Sequence, residues 1–158
     1  MNLILCGPPF SGKSTVGNKL AKTWGRPFIE TDDLIEQHVG MNKSAFYRQA
    51  GEQEFRRVEQ DILNALPRQK NAVIALGGGV TTVPSLGMVV YLEVPIDILW
   101  MRLMQSGRRP AYLEVEDPYR HFFERISMRL ARYQEMADYI VLANKTVPGI
   151  IEEIDGIK

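Results

Sequence analysis

The sequence is poor in cysteine and in net charge, and it has no long apolar run. Cys6 is its one cysteine, so no internal disulfide can form. It lies inside a short apolar segment, which predicts a buried thiol. The 19 basic and 19 acidic residues cancel, a balance that gives no support for nucleic-acid binding. No apolar stretch is long enough to span a bilayer, and residues 2–6 are too short and lack the basic flank of a signal peptide. A cytoplasmic protein is therefore expected, with no membrane partner. There is also no internal repeat, linker or low-complexity tract. A chain of 158 residues, 45% hydrophobic and 24% charged, then reads as one domain over residues 1–158 with a real core.

The most informative stretch comes first. Asn2 to Cys6 is apolar enough for a strand and runs into Gly7-Pro8-Pro9-Phe10-Ser11-Gly12-Lys13-Ser14-Thr15. This is G-x-x-x-x-G-K-S, with a helical pattern following from Val16 to Trp24. Gly7 and Gly12 permit backbone geometry that a side chain would block, so successive N–H groups can turn inward around phosphate oxygens. The helix start adds its positive dipole end. Lys13 is placed to reach the outer phosphates and the Ser14 hydroxyl to ligate Mg2+. A nucleoside triphosphate is the expected ligand.

Further along, Phe28-Ile29 predicts a second strand, with Glu30-Thr31-Asp32-Asp33 at its carboxyl end. Ligands bind there in open parallel sheets, although Asp32 or Asp33 would also serve as N-cap of a helix over 34–39. Ser44 to Leu66 predicts a helix broken near Gly51 and ended by Pro67. Its charged run over 51–59 fits either a solvated face or a binding surface. Ala72 to Leu76 predicts a buried strand followed at once by Gly77-Gly78-Gly79, either a flexible turn or a point of close approach to a ligand. Met88 to Val94 predicts the next strand and Ile96 to Met104 a helix. Residues 107–117 are polar and interrupted by Gly and Pro, as a mobile lid would be, and carry Arg108 and Arg109. A helix over 119–137, a strand over 139–142 and a helix over 147–157 complete the pattern. Five strands alternating with helices predict a three-layer α/β fold, an open parallel sheet covered on both faces.

Taken in order, these segments resemble the shikimate kinase family over essentially the whole chain. The marks are the phosphate-binding loop, x-T-D at 30–32, G-E-Q-E-F-R-R at 51–57, G-G-G at 77–79, R-P at 109–110 and R-x-x-x-Y at 129–133. The resemblance implies a five-stranded P-loop kinase of the nucleoside monophosphate kinase group. Such an enzyme uses MgATP to phosphorylate the 3-hydroxyl of shikimate, on the route to chorismate. It implies that Asp32 holds the substrate hydroxyls as catalytic base and that Arg56 and Arg129 hold the carboxylate. The glycines at 77–79 would pack against the ring, Arg109 would be the lid arginine and Arg102 would stack on adenine. Tyr47, Phe55 and Glu59 would line or brace the pocket, within a substrate-binding region of about 32–60. The chemistry agrees. A planar guanidinium suits a carboxylate, a hydroxyl needs an acceptor, and phosphoryl transfer asks mainly for positioning and charge neutralisation. A monomer working on shikimate and ATP is expected.

Two positions depart from the family pattern. Glu30 stands where the family usually has the aspartate that reaches Mg2+ through water, and Ala111-Tyr112 follows Arg109-Pro110 where the family often has two leucines. Competing readings are weaker. A gluconate kinase has no evident need for two arginines placed with a glycine triplet, and a nucleoside monophosphate kinase is a weaker alternative. Asn144-Lys145 opens a guanine-reading N-K-x-D motif, but position 147 is Val. A binding protein without activity is disfavoured because Lys13, Ser14, Asp32 and Arg109 are all present.

Overall fold

The computed structural model describes residues 1–66 and 71–157; the expected helix stop at Pro67 lies outside them. The chain runs β1 (Asn2–Cys6), α1 (Lys13–Trp24), β2 (Phe28–Glu30), α2 (Thr31–Val39), α3 (Lys43–Ala65), β3 (Val73–Ala75), β4 (Gly87–Glu93), α4 (Ile96–Ser106), a 3-10 turn (Ala111–Leu113), α5 (Pro118–Met136), β5 (Tyr139–Leu142) and α6 (Val147–Ile157). The strands form one sheet in the order β2-β3-β1-β4-β5, and every pairing is parallel. This is the expected open five-stranded sheet.

Strand alternation divides the core in two. In β1, Leu3 and Leu5 face a cluster with Val16, Leu20, Leu99 and Ile154. Ile4 and Cys6 face the opposite cluster, with Leu63, Ile74 and Tyr133. Both faces of the sheet are thus covered, which is why its central strands read as continuous apolar runs. A third, smaller cluster of Ile35, Phe55 and Val58 joins α2 to α3. Burial pushes the Cys6 thiol up to about 12, as its enclosed place in the strand requires.

Three local differences bear on the site. Helix α2 starts directly at Thr31, three residues earlier than its apolar pattern, with Glu30 at the N-cap position and no side-chain cap bond. Neither Asp32 nor Asp33 is the cap; both sit in the first turn. Helix α3 changes direction at Gly51, whose φ of 85° and ψ of 169° interrupt it without ending it. Between α4 and α5 the polar stretch is not wholly loop. The 3-10 turn inserts Leu113, 1% exposed, into the main core.

Candidate active site

The carboxyl ends of the strands open onto one cleft of about 1250 Å3. Its walls include Pro9, Phe10, Ser11, Gly12, Lys13, Ser14 and Thr15, together with Glu30, Asp32, Arg56, the glycines at 77–79, Arg102, Arg109 and Arg129. Residues separated by more than a hundred positions in sequence therefore share one cavity. Gly7 and Pro8 lie behind the wall, where their carbonyls accept hydrogen bonds from Lys13 Nζ, both at 2.8 Å.

At one end the cleft is built of backbone. Gly12 is left-handed, with φ of 98°, and Phe10 has φ of 68°, a conformation uncommon for a side-chain-bearing residue. These reversals wrap the loop between β1 and α1. Lys13 is buried, and desolvation lowers its ammonium to about 8 against the pull of the Asp32 charge. The Ser11 hydroxyl is buried without a partner within the described protein. Arg102 donates from Nη1 to the Phe10 carbonyl at 2.8 Å, which carries α4 to the same end of the cleft.

The Ser14 hydroxyl donates to the Glu30 carboxylate. This hydroxyl–carboxylate pair beside the phosphate loop offers the hard oxygen donors that Mg2+ takes when it arrives with phosphates and keeps most of its waters. Among the described residues there is no cluster of three acidic, histidine or cysteine groups for an all-protein metal cage. The donor set thus fits a phosphate-borne Mg2+, and the extra methylene of Glu30 does not stop its carboxylate from reaching Ser14.

At the other end the cleft is built of side chains. Asp32 is paired with Lys43 at 2.8 Å. Arg56 donates to Glu59 at 2.9 Å, and burial raises the pKa of that carboxyl against the opposing pull of Arg56. Arg129 Nη1 lies 3.4 Å from the Gly78 carbonyl, to which the Tyr133 hydroxyl also donates. Arg125 bonds Glu52 at 2.8 Å and lies 4.2 Å from the centre of the Tyr112 ring, tying the segment after α4 to α3 and α5. Arg48 bonds Glu114 at 3.0 Å across the same gap. Arg109 is exposed at the rim, and Tyr47 stacks edge-on against Phe55 below it.

The glycine triplet is where these parts meet. A Cβ on Gly77 would stand 2.5 Å from Asp32 Oδ1, one on Gly78 2.5 Å from Pro9 Cδ, and one on Gly79 2.2 Å from Arg56 Nη1. Each glycine leaves room for a different neighbour, so the segment is a close-packed junction rather than a free turn. Its entry is pinned by the Gly77 N–H, which donates to the buried Thr31 hydroxyl at 2.9 Å.

A family model described as shikimate kinase matches residues 9–155. The chain belongs to the shikimate kinase family. It is 34% identical to the shikimate kinase of Histophilus somni strain 2336, over 99% of this chain and 97% of that protein. It is likewise 34% identical to the shikimate kinase of Caldanaerobacter subterraneus subsp. tengcongensis, over 97% and 93%. Among solved structures, shikimate kinase from Acinetobacter baumannii in complex with shikimate superposes with a TM-score of 0.90 at 32% identity, covering 99% of this chain and 91% of that one. As a member of the shikimate kinase family this chain is an enzyme, with ATP as phosphoryl donor.

Sequence reasoning missed two groups of this candidate site. Thr31 carried no motif beyond its place before Asp32. Lys43 gave no signal at all, because its pairing with Asp32 crosses the α2–α3 corner, eleven residues apart.

Proposed function

We propose that the protein transfers the γ-phosphoryl group of ATP to the 3-hydroxyl of shikimate, releasing shikimate 3-phosphate and ADP. The observation that carries this reading is the convergence at the glycine triplet. An acidic group, two guanidiniums and the phosphate loop open onto one cavity, an arrangement that suits an acceptor combining hydroxyl and carboxylate in one small molecule. Family membership and the resemblance to a shikimate complex support the same acceptor.

The division of labour follows from chemistry. The loop from Gly7 to Thr15 holds the triphosphate through its N–H groups, and Lys13, released from the loop carbonyls, turns to the outer phosphates. Arg102 lies along the adenine, and Arg109 meets the charge on the group in transit. Arg56 and Arg129 bind the carboxylate, leaving the hydroxyl face of the ring toward Asp32. Asp32 accepts the hydroxyl proton or orients that hydroxyl in line with the γ-phosphorus. Ser14 and Glu30 would hold Mg2+, which screens the phosphate charge when bound.

The same reading makes residues about 107–117 a lid over the bound pair, excluding water from the transfer. Leu113, in the middle of that segment, is held in the core, so the part free to close is the exposed stretch before it that carries Arg108 and Arg109. It also carries a monomeric, cytoplasmic enzyme with it. An ADP-release assay with shikimate, gluconate, AMP and CMP as acceptors tests the proposal. Turnover with shikimate alone is expected; faster turnover with any other acceptor overturns it.

A further inference from the structure

Lys43 belongs to no motif, yet it makes the closest ionic contact to the proposed base. It stands at the first turn of α3, just after Asn42, whose side chain caps the helix by accepting from Ser44 N at 2.9 Å. The Lys43 backbone N–H donates to Glu36 Oε2 at 2.7 Å, and its Nζ donates to Asp32 Oδ2 at 2.8 Å. One residue of α3 is thereby bonded to two carboxylates of α2, one helical turn apart. The first bond fixes the root of the lysine and the second fixes the carboxylate.

The two oxygens of Asp32 are not equivalent in this arrangement. Oδ2 is taken by Lys43. Oδ1 is the atom that a Cβ on Gly77 would strike, so it faces the glycine junction, and both residues line the cleft. We propose that Lys43 is a positioning residue for phosphoryl transfer, holding one oxygen of Asp32 so that the other faces the attacking hydroxyl. This rests on the proposed shikimate kinase reaction.

The effect is one of geometry. A carboxylate on a short side chain rotates freely about its last bond unless something holds it, and general-base catalysis depends on the acceptor lying in hydrogen-bond reach of its proton. Lys43 lines the same cleft and supplies that restraint from a partly exposed position, its side chain 43% exposed.

Steady-state kinetics on Lys43→Met, Lys43→Arg, Asp32→Asn and the Asp32→Asn/Lys43→Met pair test the role. Lys43→Met is expected to lower kcat about tenfold, the scale of a loosened catalytic group, with the KM for ATP unchanged. Lys43→Arg is expected to recover most of that loss, because a guanidinium reaches the same oxygen. In the Asp32→Asn background the Lys43→Met change is expected to cost nothing further, since a residue acting through Asp32 has nothing left to orient. A purely structural lysine would instead slow both backgrounds by the same factor, and that result overturns the proposal even where Lys43→Met lowers the melting temperature. Turnover of Lys43→Met within twofold of wild type, or faster than wild type, overturns it too. Wild-type protein inert toward shikimate sinks the reaction and this role with it. Active wild type with an unaffected Lys43→Met variant sinks the role alone.

Discussion

The two ends of the cleft are made of different material. The loop end is backbone, with a buried lysine satisfied by the carbonyls of its own loop and a helix start immediately behind it. The far end is side chain. Its groups come from α2, α3, the junction after β3, and α5, and each is already paired: Asp32 with Lys43, Arg56 with Glu59, Arg129 with the Gly78 carbonyl. A backbone site is fixed once the chain folds and can be used for one ligand geometry. A side-chain site can be retuned residue by residue, at the cost of holding like charges near one another. Substitutions at the two ends are therefore expected to have different signatures.

The largest expected effect is at the loop. Lys13→Ala removes the single ammonium placed for the outer phosphates, and turnover is expected to fall about 10³-fold or more, on the scale of a lost transition-state charge clamp. Circular dichroism should be unchanged, because among the described residues Lys13 Nζ bonds only two carbonyls of its own loop and holds no other element in place. A variant turning over near the wild-type rate breaks the assignment of the loop as the donor site.

The far end should respond through the acceptor alone. Arg129→Ala or Arg56→Ala leaves a bound carboxylate short of a charged partner and is expected to weaken shikimate binding by about 2 kcal/mol or more. ATP binding should hardly move. Arg109→Ala should instead lower kcat more than it raises the KM for shikimate, since its partner charge develops during transfer. Gly79→Ala sharpens the comparison without removing any functional group. Its methyl would overlap the Arg56 guanidinium, which must shift, so the KM for shikimate is expected to rise severalfold with the KM for ATP constant. Equal losses of ATP affinity in these variants would show that the two ends are not separable.

This difference in material also explains what the sequence could reveal. The loop was legible because backbone recognition needs contiguous residues, with Gly7, Gly12, Lys13 and Ser14 at fixed spacing between a strand and a helix. The sheet was legible for a similar reason, since strands buried on both faces read as apolar runs. At the far end, Asp32 and the glycine triplet were legible from their places just after predicted strands, but Arg56 and Arg129 only through the resemblance, because nothing in the spacing of Arg56, Gly79 and Arg129 shows that they meet. Lys43 was not legible at all, and Thr31 only as part of the x-T-D mark. Their partners, Asp32 and the Gly77 N–H, are set by how α2 corners into α3 and how β3 ends beside it. Helix α2 was placed three residues late because its first turn, Thr31 to Asp33, is polar, and apolar periodicity cannot see a polar turn.

The smallest expected effect is also the most specific to the backbone end. Burial lowers Lys13 from 10.5 to about 8 in the free protein, so near pH 8 a share of molecules carries a neutral amine. A bound triphosphate favours the charged form, and ATP binding near this pH should therefore take up a proton. Calorimetry in two buffers of different ionisation enthalpy reads that uptake directly. ATP affinity should be flat below the free-protein value and weaken as pH rises through it. The stability of the free protein should move the other way. Its folded value lies below the unfolded one, so the unfolded chain binds more protons between about pH 8 and 10.5, and Lys13 contributes stability that grows as pH rises across that window. Shikimate affinity should show no such uptake, because Lys13 is assigned to the phosphate end and not to the acceptor end. Proton uptake on binding shikimate, or none on binding ATP, would contradict the assignment of the buried ammonium to the phosphate end.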